Sequence, residues 1–279
     1  MTCSMADSEP QQTDPHIQTH DPRTGEPLVT ATPAATIIVF RDCPDGGAPE
    51  LLMVERSSHM VFAGGAVVFP GGRVDADDHV IASSLDHGLD PHEAASRIAA
   101  IRETVEETGL GIGFAAPPER EALAQARAAL HEGAVFSELC RDAGWTLDLS
   151  ALTPFARWRP PFNERRVFDT RFYLARCDEH DHIVEVDATE NHHLFWATAA
   201  DALAMADEGK VKLIFPTRRN MERLAQFGCH ADAVDHVARF PVRMIMPFIE
   251  ERDGRPFLCI PENMGYPVTS EPMGSAMRG

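Results

Sequence analysis

The chain has 279 residues, 44% of them hydrophobic, and 25 Lys and Arg against 43 Asp and Glu give a formal net charge of −18. That is enough apolar content and length for one large domain or two small ones around a true core. The acidic balance argues against nucleic acid and anionic membranes as partners, because they carry the same sign of charge, and no apolar run reaches the ~18 residues of a membrane-spanning helix.

In chain order, residues 1–30 contain Pro10, Pro15, Pro22 and Pro27 and little apolar content, so they are expected to form a disordered acidic tail. "ATIIVFRD" (35–42) and "PELLMVERS" (49–57) are strand-like runs separated by the turn-rich "CPDGGAP". "GGAVVFPGG" (64–72) places a short strand between glycine pairs and ends in a tight Pro70-Gly71-Gly72 turn. A helix is predicted from Asp90-Pro91, with Asp90 as N-cap, Pro91 at the first helical position and Gly109 as the left-handed stop. Its buried face is Ala94, Ala95, Ile98, Ile101, Val105 and Thr108, at three- and four-residue steps.

Residues 117–143 read as two further helices split near Gly133. Strands are predicted over 166–177 and 192–198, and helices over 198–209 and 216–228 with Thr198 and Thr217 as caps. Late strands fall within 242–260 around an Asp253-Gly254 hairpin turn, and 267–279 is expected to be a flexible tail. This mixture of strands and helices predicts an α/β or α+β sandwich, with one domain over 31–266. The six cysteines contain no CxxC pair and suggest reduced thiols in a cytoplasmic protein. Neither a secretory leader at the N-terminus nor a peroxisomal tripeptide in the closing "MRG" is read.

The helix closing at Gly109 carries "RETVEETG" (102–109). Steps of three and four residues advance about 300° and about 400°, so Glu103, Glu106 and Glu107 share one face. Arg102 is spaced to pair with Glu106. Like charges four apart cost about 0.2–0.5 kcal/mol, and negative charge at a helix C-terminus costs about 0.3–1 kcal/mol per group. Two readings follow: a solvated acidic face, or three hard oxygen donors placed for Mg²⁺ or Mn²⁺.

"FPGG" (69–72) followed by "RETVEETG" resembles the Nudix hydrolase box, G-x5-E-x7-R-E-U-x-E-E-x-G-U with U aliphatic. Gly72 matches its first glycine, Arg102-Glu103 its RE pair, Glu106-Glu107 its EE pair and Gly109-Leu110 its close, while Thr104 replaces an aliphatic residue. Gly72 and Arg102 are about sixteen residues further apart than the pattern allows, so the box carries an insertion over about 74–97. Its middle glutamate is left open between Asp78, correctly spaced from Gly72, and Glu93, nearer Arg102. A long box, "RSSHMVFAGGAVVFPGG" (56–72), "RWRPPFNERRVFDTRFYLA" (157–175) and "ENHHLFW" (190–196) resemble the subgroup that includes the peroxisomal CoA diphosphatases.

The resemblance implies a Nudix α/β/α sandwich with a mixed sheet and an added helical insertion over about 117–150. It implies a hydrolase that cleaves the diphosphate of a nucleoside diphosphate linked to another group, here CoA or acyl-CoA, by water attack on phosphorus. Glu103, Glu106, Glu107 and the Gly71 carbonyl would hold Mg²⁺ or Mn²⁺, which neutralises phosphate oxygens and activates water. Arg102 would orient a glutamate. Glu190 is a further catalytic candidate, as ligand or base, and at most one of His192 and His193 can face the site. Arg56, Phe69 and Arg166 are candidate substrate contacts, while Phe168 and Trp196 read as core. The helices at 117–143 are expected to cap the pocket and to help set the substrate or a homodimer interface. The alternatives are a Nudix pyrophosphatase for ADP-ribose or a dinucleotide, and a non-catalytic nucleotide-sensing module.

Overall fold

The computed structural model describes residues 20–21, 23–56, 65–160, 167–177 and 193–276. The chain divides into two compact units, Met1–Thr30 and Ala31–Gly279. In the first, the Asp21 carboxylate accepts from the Arg23 amide at 2.7 Å and its carbonyl from Gly25 at 2.8 Å, closing a tight turn. The rest of the expected tail, residues 1–19 and 22, lies outside the described residues.

The second unit is built on a mixed sheet of β1 (Thr32–Arg41), β2 (Glu50–Glu55), β3 (Val67–Val68), β4 (Gly71–Arg73), β5 (Thr153–Trp158), β6 (Phe168–Arg176), β7 (His193–Thr198) and β8 (Met244–Ile245). The main path runs β3-β2-β1-β6-β5-β8, with β4 also on β1 and β7 also on β2. β1 and β6 run parallel from Thr32↔Phe168 to Phe40↔Arg176. Side chains of a strand alternate between faces. Ala35, Ile37 and Val39 of β1 and Tyr173 and Ala175 of β6 therefore enter one core, and Ile38, Phe40, Phe172 and Leu174 enter the other.

The first core is covered by α1 (Ala76–Ser84), α2 (Pro91–Thr108), α3 (Arg120–His131) and α4 (Phe136–Ala143). The second is covered by α5 (Ala199–Asp207), α6 (Phe215–Leu224) and α7 (His230–Arg239). The result is the expected α/β/α sandwich around a mixed sheet. A smaller sheet joins β9 (Phe248–Arg252), β10 (Arg255–Cys259) and β11 (Ser270–Pro272), which leads into α8 (Met273–Ala276). The hairpin between β9 and β10 turns on Asp253 (φ 50°) and Gly254 (φ 71°), as the Asp-Gly pair predicts.

Several expectations need correction. Pro70-Gly71-Gly72 is not a tight turn: Gly71–Arg73 is a short strand laid antiparallel on β1, with Ala35 opposite Gly72 and Thr36 opposite Gly71. Residues 270–276, expected to be a flexible tail, pair with β10 and form a short helix. Thr217 is a buried residue within α6, whose N-cap is Ile214, because Pro216 already favours the first turn. Thr198 caps α5 as expected, accepting from the Asp201 amide at 3.0 Å. Five cysteines, Cys43, Cys140, Cys177, Cys229 and Cys259, are free thiols. Among the described residues, no helix is long and apolar enough to cross a membrane.

Candidate active site

The site begins with how α2 is fixed. Asp90 caps it, accepting from His92 and Glu93 amides at 3.0 and 3.1 Å. Gly109 ends it at φ 73°. All six residues of its predicted apolar face are buried. Packed against the sheet on one side and neighbouring helices on the other, α2 brings its last two turns beside β4.

Arg102 organises that end, with its side chain only 8% exposed. Its Nε and Nη2 donate to the two carboxylate oxygens of Asp78, each at 3.0 Å. Nη2 also reaches the Arg73 carbonyl at 2.8 Å, and Nη1 the Glu103 carboxylate at 2.7 Å. Glu106 lies 3.6 Å away. A guanidinium presents a planar fork of donors, so one side chain can tie β4, α1 and α2 together. Asp78 is fully buried and also accepts from the Asp75 amide at 2.8 Å. This assigns the open acid: Asp78 holds Arg102, whereas Glu93 pairs with Arg97 and Arg171 at the other end of α2. The spacing from Gly72 to Asp78 is thus the intact part of the box, and the extra residues follow it. Arg102 donates to Glu103 and is centred on Asp78 rather than Glu106.

The glutamates meet the glycine strand directly. The Gly71 amide donates to Glu107 at 2.9 Å. A Cβ on Gly72 would fall 2.4 Å from the Glu103 carboxyl carbon, and one on Gly71 would fall 2.4 Å from the Ala35 carbonyl oxygen. Neither position accepts a side chain without displacement. Gly72→Ala is therefore expected to push the Glu103 carboxylate aside and lower kcat at least about tenfold, the range for disturbing an orienting contact. Steady-state kinetics beside a thermal melt would check it, and an unchanged kcat would reject this role for the glycine.

Burial pushes the Glu103 carboxyl up to about 7, with Glu106's charge adding to it and Arg102 opposing it. Burial pushes Glu107 up to about 8, helped by the charge of Glu103 and opposed by the Gly71 amide and Arg56. Desolvation likewise raises Asp78 against the pull of Arg102. Asp78, Glu103 and Glu106 thus surround the Arg102 guanidinium, with Glu107 beside them, in a poorly solvated corner that is electrostatically short of positive charge. Among the described residues, no three Asp, Glu, His or Cys side chains are already gathered at one cation position. Glu103 and Glu107 instead point to separate partners, as mutually repelling carboxylates do.

Of the other expected contacts, Arg56 is near enough for its charge to act on Glu107. Phe69 is corrected: it is 2% exposed and packs in the second core, on the opposite face of the sheet from α2. Trp196 packs against the first core under the Arg41 guanidinium, 4.3 Å from its centroid. His193 is exposed and stacks near Phe195. Glu190, Arg166 and His192 lie outside the described residues. One contributor escaped sequence reading: Arg127 of α3, which hydrogen-bonds the backbone of Glu106 and Glu107. No motif marks it, because its targets are main-chain carbonyls.

A family model described as the NUDT19 Nudix domain matches residues 81–224. The acyl-coenzyme A diphosphatase NUDT19 of Gallus gallus is 26% identical over 256 residues, covering 70% of this chain and 68% of the relative. The Homo sapiens protein of the same name is 27% identical over 233 residues, covering 65% and 62%. The chain therefore spans about two thirds of the length of these curated relatives. The crystal structure of a NUDIX hydrolase from Alicyclobacillus acidocaldarius superposes with a TM-score of 0.59 at 26% identity, covering 74% of this chain and 96% of that one.

Proposed function

The chain belongs to the Nudix family, and on that premise we propose that it is a divalent-metal-dependent diphosphatase acting on CoA or acyl-CoA. The observation that carries the reading is the box corner itself: Glu103, Glu106 and Glu107 beside the Gly71–Gly72 backbone, with Arg102 locked onto Asp78 behind them. The choice of CoA rests on the names of the chicken and human relatives.

The residues fit a divalent cation. The donors are hard carboxylate oxygens, two of them on groups whose burial opposes ionisation, and the Arg102 guanidinium is divided between Asp78 and Glu103. Glu103, Glu106, Glu107 and the Gly71 carbonyl would hold Mg²⁺ or Mn²⁺. The ion would supply charge neutralisation for the diphosphate and a more acidic bound water. The chain's own parts do the rest. Arg102 fixes the direction of Glu103. The Gly71 amide fixes Glu107. The absence of a Cβ at Gly72 leaves room for the Glu103 carboxylate. Arg56, whose charge acts on Glu107, would offer positive charge to an anionic substrate, which this acidic protein otherwise repels.

A phosphate-release panel with Mg²⁺ and Mn²⁺ over CoA, acyl-CoAs, ADP-ribose, NADH and dinucleoside polyphosphates tests the substrate. Fastest turnover of CoA or an acyl-CoA is expected. Fast ADP-ribose turnover without CoA turnover would overturn the substrate assignment.

The carboxyl shifts also set a pH dependence. Glu103 and Glu107 sit above their ordinary value of 4.5 in the fold, at about 7 and about 8. Between 4.5 and these values the folded protein binds more protons than the unfolded chain, so metal-free stability falls as pH rises through that window. A cation favours the ionised forms, so the rise in melting temperature on adding Mg²⁺ should grow from about pH 5 to about pH 8. Melting curves in EDTA and in Mg²⁺ would show this, and an equal Mg²⁺ effect across the range would contradict it.

A further inference from the structure

We propose that Arg127, on the helix inserted after the box, is a positioning residue for the metal-binding glutamates; this rests on the metal-site reading above. A helix leaves its last carbonyls without intrahelical partners. At the end of α2, side chains and the cap amide take up the carbonyls that run up to and through the two glutamates. Thr104 O accepts from the Thr108 hydroxyl at 2.6 Å and Val105 O from the Gly109 amide at 2.9 Å. Glu106 O accepts from Arg127 Nε and Glu107 O from Arg127 Nη2, both at 3.0 Å. One guanidinium from another helix therefore fixes the backbone of two adjacent box glutamates.

The contact has the right chemistry for positioning. It places positive charge at the negative end of the α2 dipole, where two further acids already crowd. Its hydrogen bonds go to main-chain oxygens, so it steadies the turn without consuming carboxylate donors. Glu107 is held at both ends: its backbone by Arg127 and its carboxylate by the Gly71 amide. A purely architectural role explains less. α3 is already anchored to the first core through Leu123, Ala126 and Leu130, so it does not need Arg127 to stay docked. The helical insertion thus acts on the metal site from behind, as well as covering the fold.

The test uses the full chain without substrate, titrated with Mn²⁺ and followed by electron paramagnetic resonance, for wild type, Arg127→Ala, Arg127→Gln, Arg127→Lys and Glu106→Gln. Arg127→Ala is expected to weaken Mn²⁺ binding by about 10–100-fold, the usual effect of removing an orienting partner. Arg127→Lys should recover part of that loss, since it keeps the charge but not the fork, and Arg127→Gln should not. If Arg127→Ala does not fold, the Lys and Gln variants carry the comparison. Wild-type Mn²⁺ affinity in folded Arg127→Ala or Arg127→Gln, with a lowered melting temperature, would make Arg127 a staple and overturn the proposal. With Glu106→Gln still abolishing binding, only the positioning role would fall. No saturable Mn²⁺ binding by wild type would overturn both this role and the metal-site reading.

Discussion

Glu106→Gln is expected to lower kcat by about 10²–10⁴-fold, the range for losing a placed acid–base or charge-stabilising group, while leaving the fold intact. The side chain is 30% exposed, against 14% for Glu103. Its nearest cation, Arg102 at 3.6 Å, is already satisfied by Asp78 and Glu103. The amide keeps the volume and removes one negative charge from a corner that has too many. Like charges three and four residues apart destabilise a helix by about 0.2–0.5 kcal/mol, so removing one should leave stability level or slightly higher. A metal ligand behaves differently, because the lost charge would have faced the cation directly. Turnover of acyl-CoA and a thermal melt, measured on one preparation, separate the cases. A folded Glu106→Gln enzyme with wild-type turnover would leave the glutamate face as ordinary surface charge.

The main features of this corner could be read from residues alone because they depend on local chemistry. Asp90, Pro91 and Gly109 each favour one backbone state, and the apolar spacing of α2 admits one buried face. Where tertiary contacts decide, the sequence was less legible. β5 carries no clear strand signal because Pro154 interrupts it, and the pairing with β6 does shift register between Pro154 and Ala156. α1 is hard to read because its "ADDHVIASS" is only weakly amphipathic, and α7 because its ten residues hold few strong apolar positions. Its place in a motif points Phe69 to substrate, yet it lies in the short link between β3 and β4 and its side chain is buried in the second core, a choice that only tertiary packing makes. Asp78 is the most instructive case. Its spacing from Gly72 was correct, but the insertion hid its spacing from Arg102, and only the folded contact decides between it and Glu93.

That contact should dominate the stability of the domain. Arg102→Met is expected to cost about 3–5 kcal/mol, because it strips the cation from a buried carboxylate instead of replacing the pair. Asp78 is 0% exposed and would keep only the Asp75 amide, at 2.8 Å. In a domain of this size such a loss corresponds to a fall in melting temperature of about 6–20 °C. The pH dependence gives the cause away. Burial already raises Asp78, and losing Arg102 would raise it further. Protonation relieves an orphaned carboxylate, so the penalty should shrink as pH falls toward the carboxyl range and grow as pH rises above it. The double variant Asp78→Asn with Arg102→Met removes both charges and should regain part of the stability, since a missing pair is less costly than half of one. It should not regain activity, because Glu103 would still lack the guanidinium that orients it at 2.7 Å. Equal destabilisation in the single and double variants, with no pH dependence, would mean that lost packing rather than an unpaired charge sets the cost, and Asp78 would lose its assignment as the partner that holds Arg102 in the box.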